Sequence, residues 1–457
     1  MRKWIIAALL FVAVFLVSWL CQPYTMICQE YEGLFLATPD AWTRAFAQPL
    51  PISGIVSDFL VQFYLIPVYG ALVNAALITI VFLLLPGTMV SALVAGGLWV
   101  ALAHAAVPKV AVVGVFVAIL IRVVNRFFAG AQNDKKSAQN DRKNAQNDKH
   151  YALPISAAVV VIAAAVVVLS PAVRRTETFS RVKRDALYGI WDDLLKAATP
   201  SVAQKNPELT PFALLALSGK GELGDRMFSY PVYEENDFDM VLYDGKTDYY
   251  TSLLFKACLY QYLGCYNEAI HNYYQWSTQL EKGMSFIVLR RFVELYYLLG
   301  NYTLMEKYCA VLDRSVMNGK YVEHFRSLAA GKRDAADYSA SETAAIPVIY
   351  HDPLHNLLLL ESEGFRSPML KDRILATFLL QGKQTQFMAA VQKYAQGGKR
   401  IPRHFQEAMI MWSPEPENVD KAVFDSYMDF RRDMFTISQQ ELIEKYRNTA
   451  FIYLSQE

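Results

Sequence analysis

The stretch YALPISAAVVVIAAAVVVLSPAV at residues 151–173 decides how this chain is divided. It carries no charged side chain and is longer than the roughly 20 residues that a helix needs to cross a bilayer. Other apolar stretches precede it, at about residues 4–20, 59–85, 88–107 and 110–128, and none follows it. The pattern predicts a membrane domain at residues 1–130, a fifth transmembrane helix at 151–173 and a soluble domain at 176–457.

The charges of the chain are distributed differently in the two halves. Residues 1–175 hold 13 Lys and Arg against 7 Asp and Glu, and the remaining residues hold 31 against 36. The formal net charge of +1 therefore conceals a basic membrane half and a mildly acidic soluble half. Neither half has the clustered basic surface of a nucleic-acid-binding protein, so no nucleic-acid partner is expected.

Residues 131–150 contain three near-copies of one heptad, AQNDKKS, AQNDRKN and AQNDKH. Alanine is the only apolar residue in this repeat, whereas a coiled coil needs large apolar residues at two of every seven positions. The segment is therefore predicted to be a low-complexity polar linker without fixed structure. Its Lys and Arg side chains indicate that it lies in the cytoplasm.

Basic residues also orient the chain in the membrane. Arg2 and Lys3, just before the first span, favour a cytoplasmic N-terminus. Four crossings then return the basic linker to the cytoplasm, and the fifth carries the soluble domain to the other side. The basic residues between Arg174 and Arg184 oppose this orientation. We expect a multi-pass protein of a bacterial inner membrane whose C-terminal domain is periplasmic or otherwise extracytoplasmic.

The first outer loop, residues 22–57, places Glu30, Glu32 and Asp40 among aromatic residues. It distantly resembles the first outer loop of polytopic glycosyltransferases that act on lipid-linked sugars, in which paired acids are catalytic. The resemblance implies that these three acids are candidate catalytic residues. The alternative is that they are solvated acids of the loop, and the sequence leaves both interpretations open. No P-loop, dinucleotide-binding glycine pattern, GxSxG or HExxH motif accompanies them.

Apolar residues recur at helical spacing from about residue 180 onward, which predicts a helical domain. The clearest internal repeat pairs LYQYLGCYNEAI at 259–270 with LYYLLGNYTLME at 295–306. Two tyrosines and a glycine recur after 36 residues, so that Tyr260, Gly264 and Tyr266 correspond to Tyr296, Gly300 and Tyr302. A period of this length is typical of helical solenoids.

Both segments resemble tetratricopeptide repeats, which are pairs of antiparallel helices. The resemblance implies that Ala257 and Ala269 let the paired helices approach closely and that Gly264 forms the turn between them. The chain departs from the family at Met305, which replaces the small residue of the second repeat, and it lacks the proline that closes each repeat. The match is specific for residues 249–280, partial for 285–316, and limited to residue size for 371–396.

The complete prediction is an all-α protein in which a bundle of about five transmembrane helices precedes a tetratricopeptide-like α-solenoid of helical hairpins. This layout is similar to that of uncharacterised bacterial membrane proteins that carry such tails. The resemblance implies no activity. Candidate residues for a partner groove are Tyr260 and Tyr274 of the first repeat, together with Arg403, His404 and Glu407 of the predicted helix start IPRHFQE at 401–407. The alternative for the last three residues is a polar cluster at the end of a helix.

His351, Asp352 and His355 are candidate metal ligands by residue type. Pro353 is predicted to begin a helix, which leaves His351 outside it and prevents the two imidazoles from sharing one helix face. We therefore expect no metal and no other cofactor.

Two functions follow as hypotheses. In the first, the protein is a membrane-anchored interaction or scaffold protein that presents its helical domain outside the cytoplasm to a protein or peptide partner. In the second, it is a reduced polytopic glycosyltransferase-like protein or an accessory subunit of such an enzyme. Membrane lipid is an expected partner in both. Because no catalytic motif was found, the non-enzymatic function is favoured.

Overall fold

The computed structural model describes residues 2–36, 38–46, 50–105, 108–131, 138–233, 236–239, 249–280, 282–333, 352–365, 367–396, 400–413 and 418–455. The regular elements in these ranges are all helices. The all-α class is therefore confirmed for the described residues.

The helices of the N-terminal part are, in chain order, α1 (Arg2–Cys21), α2 (Pro23–Glu32), α3 (Pro39–Phe46), α4 (Pro51–Val61), α5 (Pro67–Leu84), α6 (Thr88–Ala105), α7 (Lys109–Ala131), α8 (Ala138–Leu169) and α9 (Pro171–Tyr188). They are followed by α10 (Trp191–Ala197), α11 (Pro200–Ala203), α12 (Thr210–Lys220), α13 (Leu223–Arg226), α14 (Asn236–Asp239), α15 (Tyr249–Leu263) and α16 (Tyr266–Thr278).

The remaining helices are α17 (Phe286–Leu298), α18 (Tyr302–Leu312), α19 (Gly319–Arg333), α20 (Pro353–Ser362), α21 (Pro368–Leu380), α22 (Gln384–Gln396), α23 (Arg403–Trp412), α24 (Lys421–Asp433), α25 (Gln439–Tyr446) and α26 (Ala450–Ser455). Short 3₁₀ turns occupy Gln62–Leu65, Pro207–Leu209 and Met227–Ser229.

The chain separates into two compact units, each built from two parts of the sequence. Unit 1 comprises Met1–Arg181 and Leu280–Tyr338, and unit 2 comprises Val182–Gln279 and Ser339–Glu457. This division differs from the single boundary near residue 176 that the hydropathy pattern suggests. The reason is that α17 packs against α2, a contact between distant parts of the chain that a pattern of apolar stretches does not report.

Among the described residues of unit 1, four helices are long and apolar enough to cross a membrane: Lys3–Cys21, Pro67–Leu84, Thr88–Ala105 and Ala152–Leu169. Their length and composition support a membrane protein. Helix α7, the apolar helix predicted as a further span, packs against α4, α5 and α6. Its role as a span remains a prediction.

The apolar helices of unit 1 form a bundle. Helix α1 packs against α5 and α8, and α6 also packs against α8. Small side chains occur at these contacts, among them Ala75, Ala95 and Ala163, and all three are buried. Small residues allow helix backbones to approach closely. Close approach increases van der Waals packing, which drives helix association in lipid because the hydrophobic effect is absent there.

The second predicted span, 59–85, is not one helix. Helix α4 and the 3₁₀ turn Gln62–Leu65 end before Ile66, whose backbone is extended at φ −111° and ψ 109°. Helix α5 then begins at Pro67. Proline has no N–H to donate and disfavours the helical conformation of the residue before it, so the chain restarts its helix here.

The repeated heptads also differ from expectation. Residues 138–150 form the first turns of α8, which continues to Leu169, and residues 132–137 lie outside the described ranges. The residues from Ala138 to Leu153 include no glycine or proline, and Ala, Gln, Lys and Arg favour helix. The helix of the fifth span is therefore extended by a polar segment that we expected to be disordered.

Polar contacts identify the two ends of the bundle. At one end, Lys3 Nζ of α1 donates to the carbonyl oxygen of Leu85, which follows α5, at 2.6 Å. At the other end, Gln22 Nε2 donates to the carbonyl oxygen of Ala103 in α6 at 3.0 Å. The N-terminus of α1 and the C-terminus of α5 therefore share one end, opposite the C-termini of α1 and α6.

The predicted helical hairpins are present. Helices α15 and α16 are joined by Gly264 at φ +86°, and α17 and α18 by Gly300 at φ +70°. A side chain at either glycine would be strained, because L-residues rarely adopt a positive φ. The first hairpin belongs to unit 2 and the second to unit 1. Their assignment to a tetratricopeptide-like solenoid remains a prediction.

The aromatic residues of the repeat have local partners. Tyr296 stacks on Tyr308 across the α17–α18 hairpin, with ring centroids 5.6 Å apart. Tyr302 begins α18 and lies 6.2 Å from the ring of Tyr297. Tyr266, the matching residue of the first hairpin, begins α16 and is half-buried.

Ala257 and Ala269 are both fully buried in the α15–α16 hairpin. We expect Ala269→Leu to lower the free energy of unfolding by roughly 1–3 kcal/mol, because extra methylene groups overpack a closed core. The same substitution at Ala310, exposed on α18, is the matched control and should change it by roughly half a kcal/mol or less. Chemical unfolding of the two variants in detergent would show the difference, and equal stability would contradict the predicted contact.

The repeat pattern predicts that Glu268 lies on the outer face of the first hairpin. It is half-buried instead, and its carboxylate accepts a hydrogen bond of 2.9 Å from Asn272 Nδ2 on the next turn of α16.

Unit 2 is organised around α12, whose residues Thr210–Ser218 are all buried. This helix contacts α10, α15 and α21. A helix that is apolar on every side belongs in the centre of a helical domain. A second apolar cluster, containing Phe430, Tyr446 and Phe451, joins the C-terminal helices α24, α25 and α26.

Candidate functional site

The loop at residues 22–57 of unit 1 contains a short helix, α2, that makes polar contacts with distant parts of the chain. Glu177 of α9 accepts hydrogen bonds from the backbone N–H groups of Tyr24 and Thr25 at 2.9 and 2.8 Å. It also accepts one from the Thr25 hydroxyl at 2.6 Å. A carboxylate at this position satisfies N–H groups that have no partner within the helix and complements the positive end of its dipole. Burial nevertheless raises the pKa of Glu177.

Glu30, near the other end of α2, forms a buried ion pair with Arg290 of α17. The pair is bidentate, since Arg290 Nη1 and Nη2 each donate to one carboxylate oxygen. Arg290 Nε donates to Asn318 Oδ1 at 2.7 Å, and the Glu30 side chain has no exposed surface. We call Glu30, Arg290 and Asn318 the clamp. Burial raises the pKa of Glu30, and the guanidinium opposes that rise.

Further contacts beside the clamp hold residues 282–316 against residues 34–62. Lys282 Nζ lies 2.6 Å from Asp58 Oδ2 and donates to the carbonyl oxygen of Leu34 at 2.8 Å. The backbone N–H of Val316 donates to Gln62 Oε1 at 2.9 Å. Together with the clamp, these contacts hold the α17–α18 hairpin on both sides, before α17 and after α18.

A close backbone contact completes this arrangement at Gly33. Its carbonyl oxygen accepts a hydrogen bond of 3.0 Å from the N–H of Phe286. A Cβ at Gly33 would lie 2.9 Å from Val61 Cγ1 and 3.1 Å from the carbonyl oxygen of Gln29, so a side chain here would force its neighbours to shift. The second repeat hairpin is thus fixed to the membrane half within unit 1.

A small polar cavity lies beside α2, lined among others by Ser18, Gln22, Gln29, Asn74 and Trp99. Its volume of about 10 Å³ is close to that required by one water molecule. Trp99 is buried, and its indole Nε1 has no hydrogen-bond partner. The cavity is too small for a sugar or a lipid headgroup.

Unit 2 contains a larger open groove of about 320 Å³ between α20, α21 and α22. Its apolar surface comes from Leu358, Ile374, Leu375, Phe378, Ala389 and Ala390, and its polar rim from Glu361, Lys371, Gln386, Lys393 and Tyr394. Burial and the neighbouring Asp372 carboxylate raise the pKa of Tyr394 to about 12, so its phenol stays protonated at neutral pH. We call this feature the α20–α22 groove.

The five residues predicted for a partner groove are not brought together on one surface. Tyr260, His404 and Glu407 are buried in unit 2, whereas Tyr274 and the Arg403 side chain are exposed. Glu407 accepts hydrogen bonds from His404 Nδ1 at 2.9 Å and from Arg403 Nε at 2.8 Å. It also accepts one from the backbone N–H of Ala450, which begins α26. Glu407 therefore holds α26 in place, and its carboxylate already accepts hydrogen bonds from three groups of the same chain.

The three candidate acids, Glu30, Glu32 and Asp40, likewise lie in different surroundings. Glu30 is buried in the clamp and not solvated, because Arg290 approaches from a part of the chain 260 residues away. Glu32 ends α2 and is half-buried. Asp40 lies in α3, and its side chain falls outside the described part of the chain. The carboxylate of Glu30 is thus occupied by a cation from the same chain.

The metal candidates remain apart in the structure. Asp352 Oδ1 accepts a hydrogen bond of 2.9 Å from the N–H of His355 and so caps α20, which begins at Pro353. His351 lies outside the described residues. Within the described ranges, no group of three or more His, Cys, Asp or Glu side chains is arranged to hold a metal ion.

Sequence reasoning missed Arg290, Glu177 and the α20–α22 groove. Arg290 and Arg291 stand in the otherwise apolar helix α17, and an arginine at such a position is rarely buried without a paired acid. Glu177 is an acid within a basic run. Arg290 and Glu177 each differ in charge or polarity from their neighbours in the sequence. Their partners lie too far along the chain to be inferred from spacing.

Comparisons with known proteins give one family. No curated protein and no solved structure matches the chain. The profile of a family of unknown function, DUF6057, matches residues 1–121 and 97–457, which together cover the whole sequence. The chain that carries the clamp and the α20–α22 groove is therefore a member of the family DUF6057.

Proposed function

We propose that this protein is a membrane-anchored interaction protein whose helical domain, outside the cytoplasm, binds a protein or peptide partner in the α20–α22 groove. The observation that carries the proposal is the groove itself. It is open, has an apolar floor and has charged side chains at its rim. An apolar surface bordered by a few polar groups is the usual form of a peptide-binding groove between helices.

The charges at the rim favour one kind of partner. Among the described residues that line the groove, Lys371 and Lys393 are cations and Glu361 is an acid, while the Asp372 carboxylate beside Tyr394 is buried. Leu358 and Ala389 expose apolar surface in the same groove. We therefore propose an apolar peptide segment that carries at least one carboxylate, which the two lysines would contact while its apolar side chains cover the floor.

The membrane half supports the proposal as an anchor. The apolar helices of unit 1 suit a bilayer, and the clamp fixes a repeat hairpin to their outer loops. The tetratricopeptide-like assignment, the inner membrane and the extracytoplasmic orientation are parts of this proposal. Basic residues at the Lys3 end of the bundle support the orientation, because such residues favour the cytoplasm.

The glycosyltransferase hypothesis gains no support from these observations. Its leading candidate, Glu30, is buried and paired with Arg290, and the cavity beside α2 has room for about one water molecule. A catalytic carboxylate must be able to contact its substrate. We therefore do not favour an enzymatic role.

Site-specific photo-crosslinking in intact membranes tests the proposed partner site. A photoreactive benzoylphenylalanine at position 389, in the groove, should give a discrete adduct with a partner. The same residue at position 392, exposed on the same helix but not lining the groove, should give none. The double variant Lys371→Glu/Lys393→Glu should reduce the position-389 adduct about tenfold if each lysine contributes ~0.7 kcal/mol.

Two results would contradict the proposal. The first is the same adduct from positions 389 and 392, which would indicate contact unrelated to the groove. The second is an adduct at position 389 whose yield is unchanged by the double charge reversal. Folding of each variant is checked by its helical circular dichroism.

A further inference from the structure

A cleft at the Lys3 end of the membrane bundle combines two positive charges with an apolar wall. It is lined by Lys3, by Leu83, Leu84, Leu85 and Pro86 at the end of α5, and by Arg122 and Asn125 of α7. Its volume is about 330 Å³. In the described part of the chain, no carboxylate lines this cleft.

The hydrogen bonds of Lys3 leave it able to bind an anion. Its ammonium group donates to the carbonyl oxygens of Leu83 at 3.2 Å and Leu85 at 2.6 Å. A lysine ammonium has three N–H donors, so one remains. The two carbonyls hold the charge in a fixed place at the end of an apolar helix, where Arg122 contributes a second cation to the same cleft.

Two cations that share a partly apolar cleft are stabilised by an anion placed between them. Guanidinium and ammonium groups are the side chains that most often bind phosphate oxygens. We propose that this cleft binds the phosphate of an anionic phospholipid headgroup, with Lys3 and Arg122 contacting the phosphate and Asn125 available for the polar headgroup. Basic clefts between transmembrane helices are suited to such headgroups.

The surroundings of the cleft favour a lipid over a free phosphate ion. Leu120, Val123 and Val124, which stand next to Arg122 in α7, are exposed and apolar. With α7 as the span that its apolar sequence predicts, this exposed surface faces acyl chains, so a phosphate that enters beside Arg122 arrives attached to lipid. Leu84 and Pro86 supply apolar surface within the cleft for the glycerol region.

The test uses the full chain, purified in detergent and delipidated, with lipid binding followed by native mass spectrometry. The probes are phosphatidylglycerol, phosphatidylcholine and inorganic phosphate. We expect phosphatidylglycerol to bind more tightly than phosphatidylcholine. Arg122→Gln and Lys3→Gln should each weaken phosphatidylglycerol binding about fivefold, which corresponds to roughly 1 kcal/mol per basic residue.

Lys109→Gln is the matched control, because Lys109 begins the same helix α7 and does not line the cleft. It should leave phosphatidylglycerol binding unchanged. If Lys3→Gln fails to insert into the membrane, Arg122→Gln alone still decides the outcome. Equal binding of the two lipids, an equal effect of Lys109→Gln, or displacement of phosphatidylglycerol by millimolar inorganic phosphate would overturn the proposal.

Discussion

Arg290→Met is expected to lower the free energy of unfolding by about 3–5 kcal/mol, because it leaves the Glu30 carboxylate buried without its partner. The loss should be smaller when Glu30 is also changed to Gln, since the double variant buries no charge. Chemical unfolding in detergent micelles, followed by tryptophan fluorescence, measures both. Arg314→Met, at an exposed arginine of the same unit, is the matched control and should have little effect.

The pH dependence of the Arg290→Met defect has a definite sign. Burial already raises the pKa of Glu30, and removal of the guanidinium that opposes this effect raises it further. A carboxyl group whose pKa is higher in the folded state binds more protons when folded, so stability falls as pH rises above the unfolded pKa of about 4.3. The defect should therefore be larger at pH 8 than at pH 5. A defect that does not depend on pH would show that Glu30 is not the group left unpaired.

The second large effect is expected in unit 2, where Arg373 is completely buried. It forms an ion pair with Asp239, and its guanidinium carbon lies 4.0 Å from the ring centroid of Phe238. Arg373→Met should destabilise the protein by about 3–5 kcal/mol, since Asp239 is left charged in the core. Loss of the cation–π contact adds to this, because such contacts are strongest where water is excluded.

Arg400→Met is the control for Arg373→Met. The Arg400 side chain is 64% exposed, and its distances to Asp225 and Asp420 are 3.7 and 3.4 Å, so its ion pairs contribute little. Under the same conditions, the free energy of unfolding should be clearly lower for Arg373→Met than for Arg400→Met. Equal stability would mean that Asp239 is protonated or reaches water when Arg373 is removed.

The parts of the fold that could be predicted from sequence are those set by neighbouring residues. The turns at Gly264 and Gly300 were predicted because glycine tolerates the positive φ that ends one helix and allows the next. The break at Pro67 follows from the missing N–H of proline. Apolar helices are recognisable from length and composition alone.

The parts that could not be predicted depend on contacts between distant residues. Glu30 was expected to be catalytic or solvated because it stands in a loop between apolar stretches, and nothing near it indicates an arginine partner. His404 and Glu407 look like surface polar residues at a helix start, yet both are buried because α26 packs against α23. For the same reason, periodicity could not show that the two clearest repeats belong to different compact units.

The separation of the clamp residues along the chain has a consequence for how the protein is made. Glu30 leaves the ribosome 260 residues before Arg290, a delay of roughly 13–52 s at common rates of synthesis. The acid of the loop at residues 22–57 therefore has no partner until most of the chain has been translated. We expect shortened chains that end before Arg290 to be degraded by membrane quality-control proteases, because their Glu30 has no partner. Unit 1 can reach its final fold only when the α17–α18 hairpin has been synthesised.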